Sequence, residues 1–116
     1  MLINVRLLGA HCWLIILCNY NNIKLSYTNI KNLGNIQKHG ISLDDARLLD
    51  CDSLIFIEDK RKDYGEVRLI GFTPIAHRLY CIVYTERNET IHVISLRKAN
   101  TREVNRYVKS RQNIET

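Results

Sequence analysis

Apolar and polar positions recur along this chain with two different periods, and the change from one to the other falls near Ser53. Ahead of it, Ile23 to Tyr27 reads as a strand, and Thr28 stands where it can cap the helix that follows. Ile30, Leu33 and Ile36 fall at roughly helical spacing, and Gly40 sits where a helix stops. Gly34 weakens that helix by about 1 kcal/mol relative to Ala. Ser42 and Asp45 then make a capping-box-like start, with Asp for the usual Glu, to a second helix bearing Leu43, Ala46 and Leu49.

Beyond Ser53 the period becomes that of a strand. Leu54 to Ile57, Val67 to Phe72, Leu79 to Glu86 and Thr90 to Lys98 are the four predicted strands, and Asn88-Glu89 is the turn between the last two. The run from Leu79 to Tyr84 is apolar on both faces, as a central strand would be. Pro74 marks a loop, because proline cannot donate to a sheet ladder. Asn100 and Glu103 cap a final helix that carries Val104, Tyr107 and Val108 and is otherwise polar and basic. The predicted order is one strand, two helices, four strands and a helix. Without internal repeats, low-complexity runs or a linker, this is a single domain.

The first twenty-two residues fit that scheme least. Their apolar run, Cys12 to Cys18, falls far short of the roughly 20 residues a membrane-crossing helix needs. Asn19-Tyr20-Asn21-Asn22 follows it in place of the small residues of a secretory cleavage site. A strand and a short buried helix remain equally compatible with so short a run.

Charge changes the picture modestly. The 116-residue chain carries a net +5, which favours a polyanionic partner without bearing on the fold. The first forty residues hold four cations and no acid, residues 41–70 hold eight acids against five cations, and the remainder holds eight cations against four acids. Cys12, Cys18, Cys51 and Cys81 lack metal-type spacing and read as mostly buried thiols of a cytoplasmic protein.

Several familiar sites are absent from the sequence: a Gly-rich phosphate loop, a Cys or His pair at zinc spacing, and a Gly-flanked nucleophilic serine. The remaining cations, tyrosines, one His and one Glu suit binding or cutting a phosphodiester without metal or cofactor. Cleavage of RNA needs a base for the ribose 2′-hydroxyl, an acid for the departing 5′-oxygen, and cations for the charge that builds on the phosphoryl oxygens. Arg97 is the first candidate for that cationic role, with a solvated strand end as its bland alternative. Alternation sends Lys98 to the opposite face. His39 has the pKa for proton transfer, yet a His near a helix C-terminus is also favoured by the dipole. Glu66 and Arg68 lie two positions apart on one strand face, so Glu66 is a base or simply the partner of Arg68. Tyr64 and Tyr84 can stack on a base or hydrogen-bond a phosphate, or be ordinary core. His11, His77 and His92 show no ligand spacing and read as structural or exposed.

Lys38-His39-Gly40, Tyr64-Gly65-Glu66, Tyr84-Thr85 and Ser95-Leu96-Arg97-Lys98-Ala99, in that order, resemble the BrnT family of bacterial toxins. The resemblance spans roughly Tyr27 to Tyr107. It implies a RelE-like α+β fold, with two N-terminal helices and a C-terminal helix packed on a twisted, mainly antiparallel sheet. Residues 23–116 would be the toxin domain and residues 1–22 an atypical extension without counterpart. It further implies a metal-independent ribonuclease that slows translation. A BrnA-like ribbon-helix-helix antitoxin would hold it inactive and give it its only access to operator DNA. On that resemblance Arg87 and Arg97 hold the phosphate, His39 or Glu66 moves protons, Tyr84 orients the substrate, and Lys38, Tyr64, Arg68 and Lys98 contact RNA. The sequence departs from the family at Tyr27-Thr28, where Trp-Asp is usual, and at His92, where Arg or Lys is usual. A degenerate toxin that keeps only its antitoxin-binding role is one alternative reading, and a general basic RNA-binding domain, with salt-steep binding and no product, is another.

Overall fold

The computed structural model describes residues 24–115. They form β1 (Leu25–Ser26), α1 (Asn29–His39), two 3-10 helices (Leu43–Leu48 and Cys51–Ser53), β2 (Ile55–Glu58), β3 (Leu69–Ile75), β4 (Arg78–Arg87), β5 (Thr90–Lys98) and α2 (Thr101–Glu115). The sheet order is β1-β5-β4-β3-β2, with β1 parallel to β5 and every other pair antiparallel. The α+β expectation therefore holds, as a mixed five-stranded sheet.

The second predicted helix is the main correction. Leu43–Leu48 is a six-residue 3-10 helix, not an α-helix. Leu43, Ala46 and Leu49 are all buried, and their strict spacing of three matches the three residues per turn of a 3-10 helix, which stacks positions i and i+3. Ser42 Oγ accepts from the backbone N–H of Asp44, so the predicted box with Asp45 does not form. Pro74 corrects a second expectation, because it lies within β3. Its carbonyl accepts from Asp50 N–H on the side away from β4, so the missing donor falls where β2 no longer pairs. The expected thiol at Cys51 is disulfide-bonded, whereas Cys81 is a free, buried thiol whose pKa is pushed up to about 11 by burial.

One face of the sheet carries the core. Alternation places Leu69, Ile82, Tyr84, Ile91, Val93 and Leu96 against Leu43, Ala46, Leu49, Leu54 and Phe56. At Gly71 a Cβ would sit 2.9 Å from Leu54 Cδ1 and 3.2 Å from Ile82 Cγ2, so any larger residue there would force these buried side chains to shift.

Helix α1 joins the core in an unexpected orientation. Its buried residue is Asn35, not an apolar one. Asn35 Nδ2 donates to the Ile41 and Leu96 carbonyls, each at 2.8 Å, and its Oδ1 accepts from Leu96 N–H at 3.2 Å. The side-chain amide thus pairs with the edge of β5 as a peptide group of another strand would, beyond the two residues that β1 covers. Asn32 Oδ1 adds an acceptor for Leu43 N–H at 2.7 Å. Ile30, Leu33 and Ile36, the apolar residues at helical spacing, are 85 %, 67 % and 41 % exposed.

Candidate active site

The β4–β5 hairpin is set by its turn. Asn88 and Glu89 both have positive φ, 50° and 65°, the requirement of a type I′ turn whose twist matches the flanking strands. Pairing from that turn places Arg87 opposite Thr90 and Thr85 opposite His92, so all four share one face. Glu66 reaches this face from the segment between β2 and β3. Gly65, at φ 76°, turns the chain there, and its N–H donates to Asp63 Oδ1 at 2.9 Å.

The same segment is anchored at its base by Asp59. That buried carboxylate accepts from Arg61 Nε and Nη2, each at 2.8 Å, and from Tyr64 Oη at 3.0 Å. The Arg61 bonds hold its pKa well below the carboxylate range, against the opposing effect of burial.

Glu66 and Arg87 meet through two hydrogen bonds, Nη2 to Oε1 at 2.6 Å and Nε to Oε2 at 3.0 Å. Their side chains are 34 % and 50 % exposed, so the pair is open to solvent and to a ligand. The Arg87 hydrogen bonds lower the Glu66 pKa most, helped by the Thr85 hydroxyl and opposed by burial. His92 lies beside this pair, with Nδ1 2.8 Å from Ser26 Oγ on β1. Burial lowers its pKa first, then the positive charges of Arg87 and Lys31, while Glu66 opposes them. A carboxylate, a guanidinium and an imidazole therefore converge on one half-open surface.

Arg97 lies elsewhere. It is level with Cys81, six paired positions from the hairpin end, or about 20 Å at the usual strand rise. Its guanidinium is held by Glu103 at 2.8 and 2.9 Å and by the Lys98 carbonyl at 3.2 Å. Glu103 also completes the predicted capping box, since Asn100 N–H donates to Glu103 Oε1 and Glu103 N–H to Asn100 Oδ1. Around this end stand Lys38, Lys98 and His39. Burial lowers the His39 pKa first, followed by the charges of Lys38 and Arg97.

A model of the family described as "Ribonuclease toxin, BrnT, of type II toxin-antitoxin system" matches residues 27–103. The chain belongs to the BrnT family. No curated protein matches it significantly. The BrnT match begins at Tyr27, just past β1, and ends at Glu103, the residue that grips Arg97. It therefore contains both ends of the sheet just described.

Within this BrnT domain the candidates sort by place. Glu66 and Arg87 come together. Arg97 and His39 form a second group at the far end, so Arg87 and Arg97 do not close on one phosphate as expected. Tyr84 is 0 % exposed and belongs to the core, without surface for a substrate. Glu66 pairs with Arg87 rather than Arg68, and both Glu66 and Arg68 precede β3 instead of sharing a strand face. Arg68 lies over the Tyr64 ring, 3.8 Å from its centroid, so that ring already carries a cation.

Two sets of residues escaped the sequence reading. Spacing alone marks His92 as structural or exposed, although alternation counted from the Asn88-Glu89 turn puts it on the face of Arg87. Arg61 and Arg106 join Arg97 around a cavity of about 340 Å³ floored by Ile57, Ile70 and Phe72, between the sheet and α2. His77 is exposed in the β3–β4 turn, as expected, and His11 lies outside the described residues. Among the described residues no group of three or more His, Cys, Asp and Glu side chains is placed to hold a metal ion, and no helix is long and apolar enough to cross a membrane.

Proposed function

We propose that this BrnT-family chain is a metal-independent endoribonuclease of the cytoplasm that inhibits translation by cutting RNA with Glu66, Arg87 and His92. In this reading its toxin domain is residues 23–116, with a RelE-like arrangement of helices on the sheet. Its partner is a BrnA-like ribbon-helix-helix antitoxin, through which alone it reaches operator DNA. The observation that carries the reading is the open Glu66–Arg87 pair beside half-buried His92.

The chemistry follows from competition for Arg87. An arriving phosphate takes donors of the guanidinium, which has five, and draws it from Glu66. Glu66 then loses the bonds that depress its pKa and becomes a better base for the 2′-hydroxyl proton. The attack closes a 2′,3′-cyclic phosphate, Arg87 stabilises the charge on the phosphoryl oxygens, and protonated His92 supplies the proton to the leaving 5′-oxygen. Lys38, His39, Arg97 and Lys98, about 20 Å away, serve as a backbone-binding track several nucleotides distant. Arg68, with Tyr64 beneath it, is a further RNA contact next to Glu66.

Cleavage of defined RNA in EDTA tests this. Arg87→Ala is expected to lower the rate about 100- to 1,000-fold, as for loss of one preorganised donor. Glu66→Gln and His92→Gln each lower it in folded protein, while Arg97→Ala mainly loses stability. EDTA-abolished cleavage refutes metal independence, and full activity of Arg87→Ala refutes the site. One observation favours the alternative of a weakened toxin acting as an antitoxin-binding co-repressor: Arg87 and Arg97 are both paired with carboxylates of their own chain. Antitoxin binding with no cleavage, on naked RNA or on ribosomes, would establish it.

A further inference from the structure

We propose that the outward face of α1 is the docking surface for an acidic amphipathic helix of the antitoxin. This proposal rests on the toxin reading above. Helix α1 is inverted relative to ordinary surface helices: its amide side chains are fixed inward, and Ile30 and Leu33 face solvent at 85 % and 67 % exposure. Gly34 lies on the same outward face, and nothing stands within 4 Å of where its Cβ would be. No packing within the described residues requires a glycine there, although glycine weakens an exposed helix. A partner backbone approaching closely would use that gap.

Charge selects the occupant. Helix α1 holds Lys31, Lys38 and His39 and no acid, and at 100° per residue Lys31 and Lys38 flank the Ile30–Leu33–Gly34 face on one side. A second copy packed antiparallel would set Lys31 against Lys38. The chain's own residues 1–23 contain one charged residue, Arg6, and no acid, so they cannot neutralise that flank. A helix with apolar residues at three- and four-residue spacing and acids along one border satisfies both the stripe and the lysines.

The test is titration of the full chain with the purified antitoxin of its own operon, alongside RNA cleavage by each free variant. Ile30→Asp/Leu33→Asp is expected to weaken antitoxin binding at least 100-fold while leaving free-enzyme cleavage unchanged. Lys31→Glu/Lys38→Glu should weaken it 10-fold or more, less at high salt. Gly34→Ala guards against misfolding as the cause: it should raise the melting temperature of the free protein by a few degrees, yet lower affinity for the antitoxin. Affinities within threefold of wild type for all three variants overturn the docking site and leave the ribonuclease reading intact. A dimer of the free chain that Leu33→Asp dissolves overturns it in favour of self-association. Absence of antitoxin binding by the wild type overturns both this proposal and the assigned partner.

Discussion

Replacing Asn35 with Ala should unfold α1 from the sheet more effectively than removal of any apolar residue of that helix. The amide makes three hydrogen bonds, two to Leu96 and one to Ile41, and is buried. At about 1 kcal/mol net per bond the loss is about 3 kcal/mol. The better helix propensity of Ala returns about 0.6 kcal/mol, leaving a destabilisation of about 2 to 3 kcal/mol. Urea denaturation followed by far-ultraviolet circular dichroism measures this; with a slope of about 1 to 3 kcal/mol per molar, the midpoint should fall by roughly 1 to 2 M. Asn35→Asp sharpens the argument at almost no cost in shape. Its carboxylate turns two donations into repulsions against the Ile41 and Leu96 carbonyls, so at neutral pH it should be worse than Ala. Acidification that protonates the carboxylate should recover part of the difference. An Ala variant within about 0.5 kcal/mol of wild type, or an Asp variant no worse than Ala, would refute the strand-mimicking role.

Three further outcomes follow from the same geometry. Gly71→Ala forces a Cβ to within 2.9 Å of Leu54 Cδ1 and should cost about 1 to 3 kcal/mol in urea unfolding; a neutral effect would mean the core yields there. Asp59, Glu66 and Glu103 all have folded pKa values below their ordinary ones, chiefly through bonds from Arg61, Arg87 and Arg97. The unfolded chain therefore binds protons first on acidification, and the stability these carboxylates confer is present above pH 5 and lost as pH falls through the folded values. Melting temperatures between pH 6 and 2.5 should show that fall, and Asp59→Asn should flatten it; equal slopes would discount the Asp59 network. Cleavage should already be falling before pH reaches the ordinary histidine value, because burial and the charge of Arg87 lower the His92 pKa and empty its protonated form earlier. A rate that is level from pH 6 to 8 would remove His92 from the acid role.

The strands were legible because the Asn88-Glu89 turn and strict alternation act over a few residues, and the observed ends of β4 and β5 lie within one residue of the reading. The capping box at Asn100 and Glu103 was legible for the same reason. What was lost depended on distance in sequence. A helical period reports that Ile30, Leu33 and Ile36 share a face, but not which way that face points. The direction was set by Asn35 finding Leu96 across the sheet. Likewise Glu66 chose Arg87, twenty-one residues away, over nearby Arg68. The site was therefore half visible: the residue types were apparent, and the partners that divide Arg87 from Arg97 were not.

The lone parallel pairing at the edge of the sheet also orders the events of folding. β3, β4 and β5 are joined by two-residue turns and can zip together from local contacts, whereas Ser26 must find His92 across sixty-six residues. The meander thus forms first, and β1 with α1 closes onto it last. A substitution such as Asn35→Ala should then accelerate unfolding while barely slowing refolding, as stopped-flow traces would reveal. During synthesis the order is opposed, since α1 emerges long before its seat on β5 exists. Its Ile30–Leu33 face is thus exposed from the first moments of the chain's life, before the surface that joins Glu66 to Arg87 has been assembled.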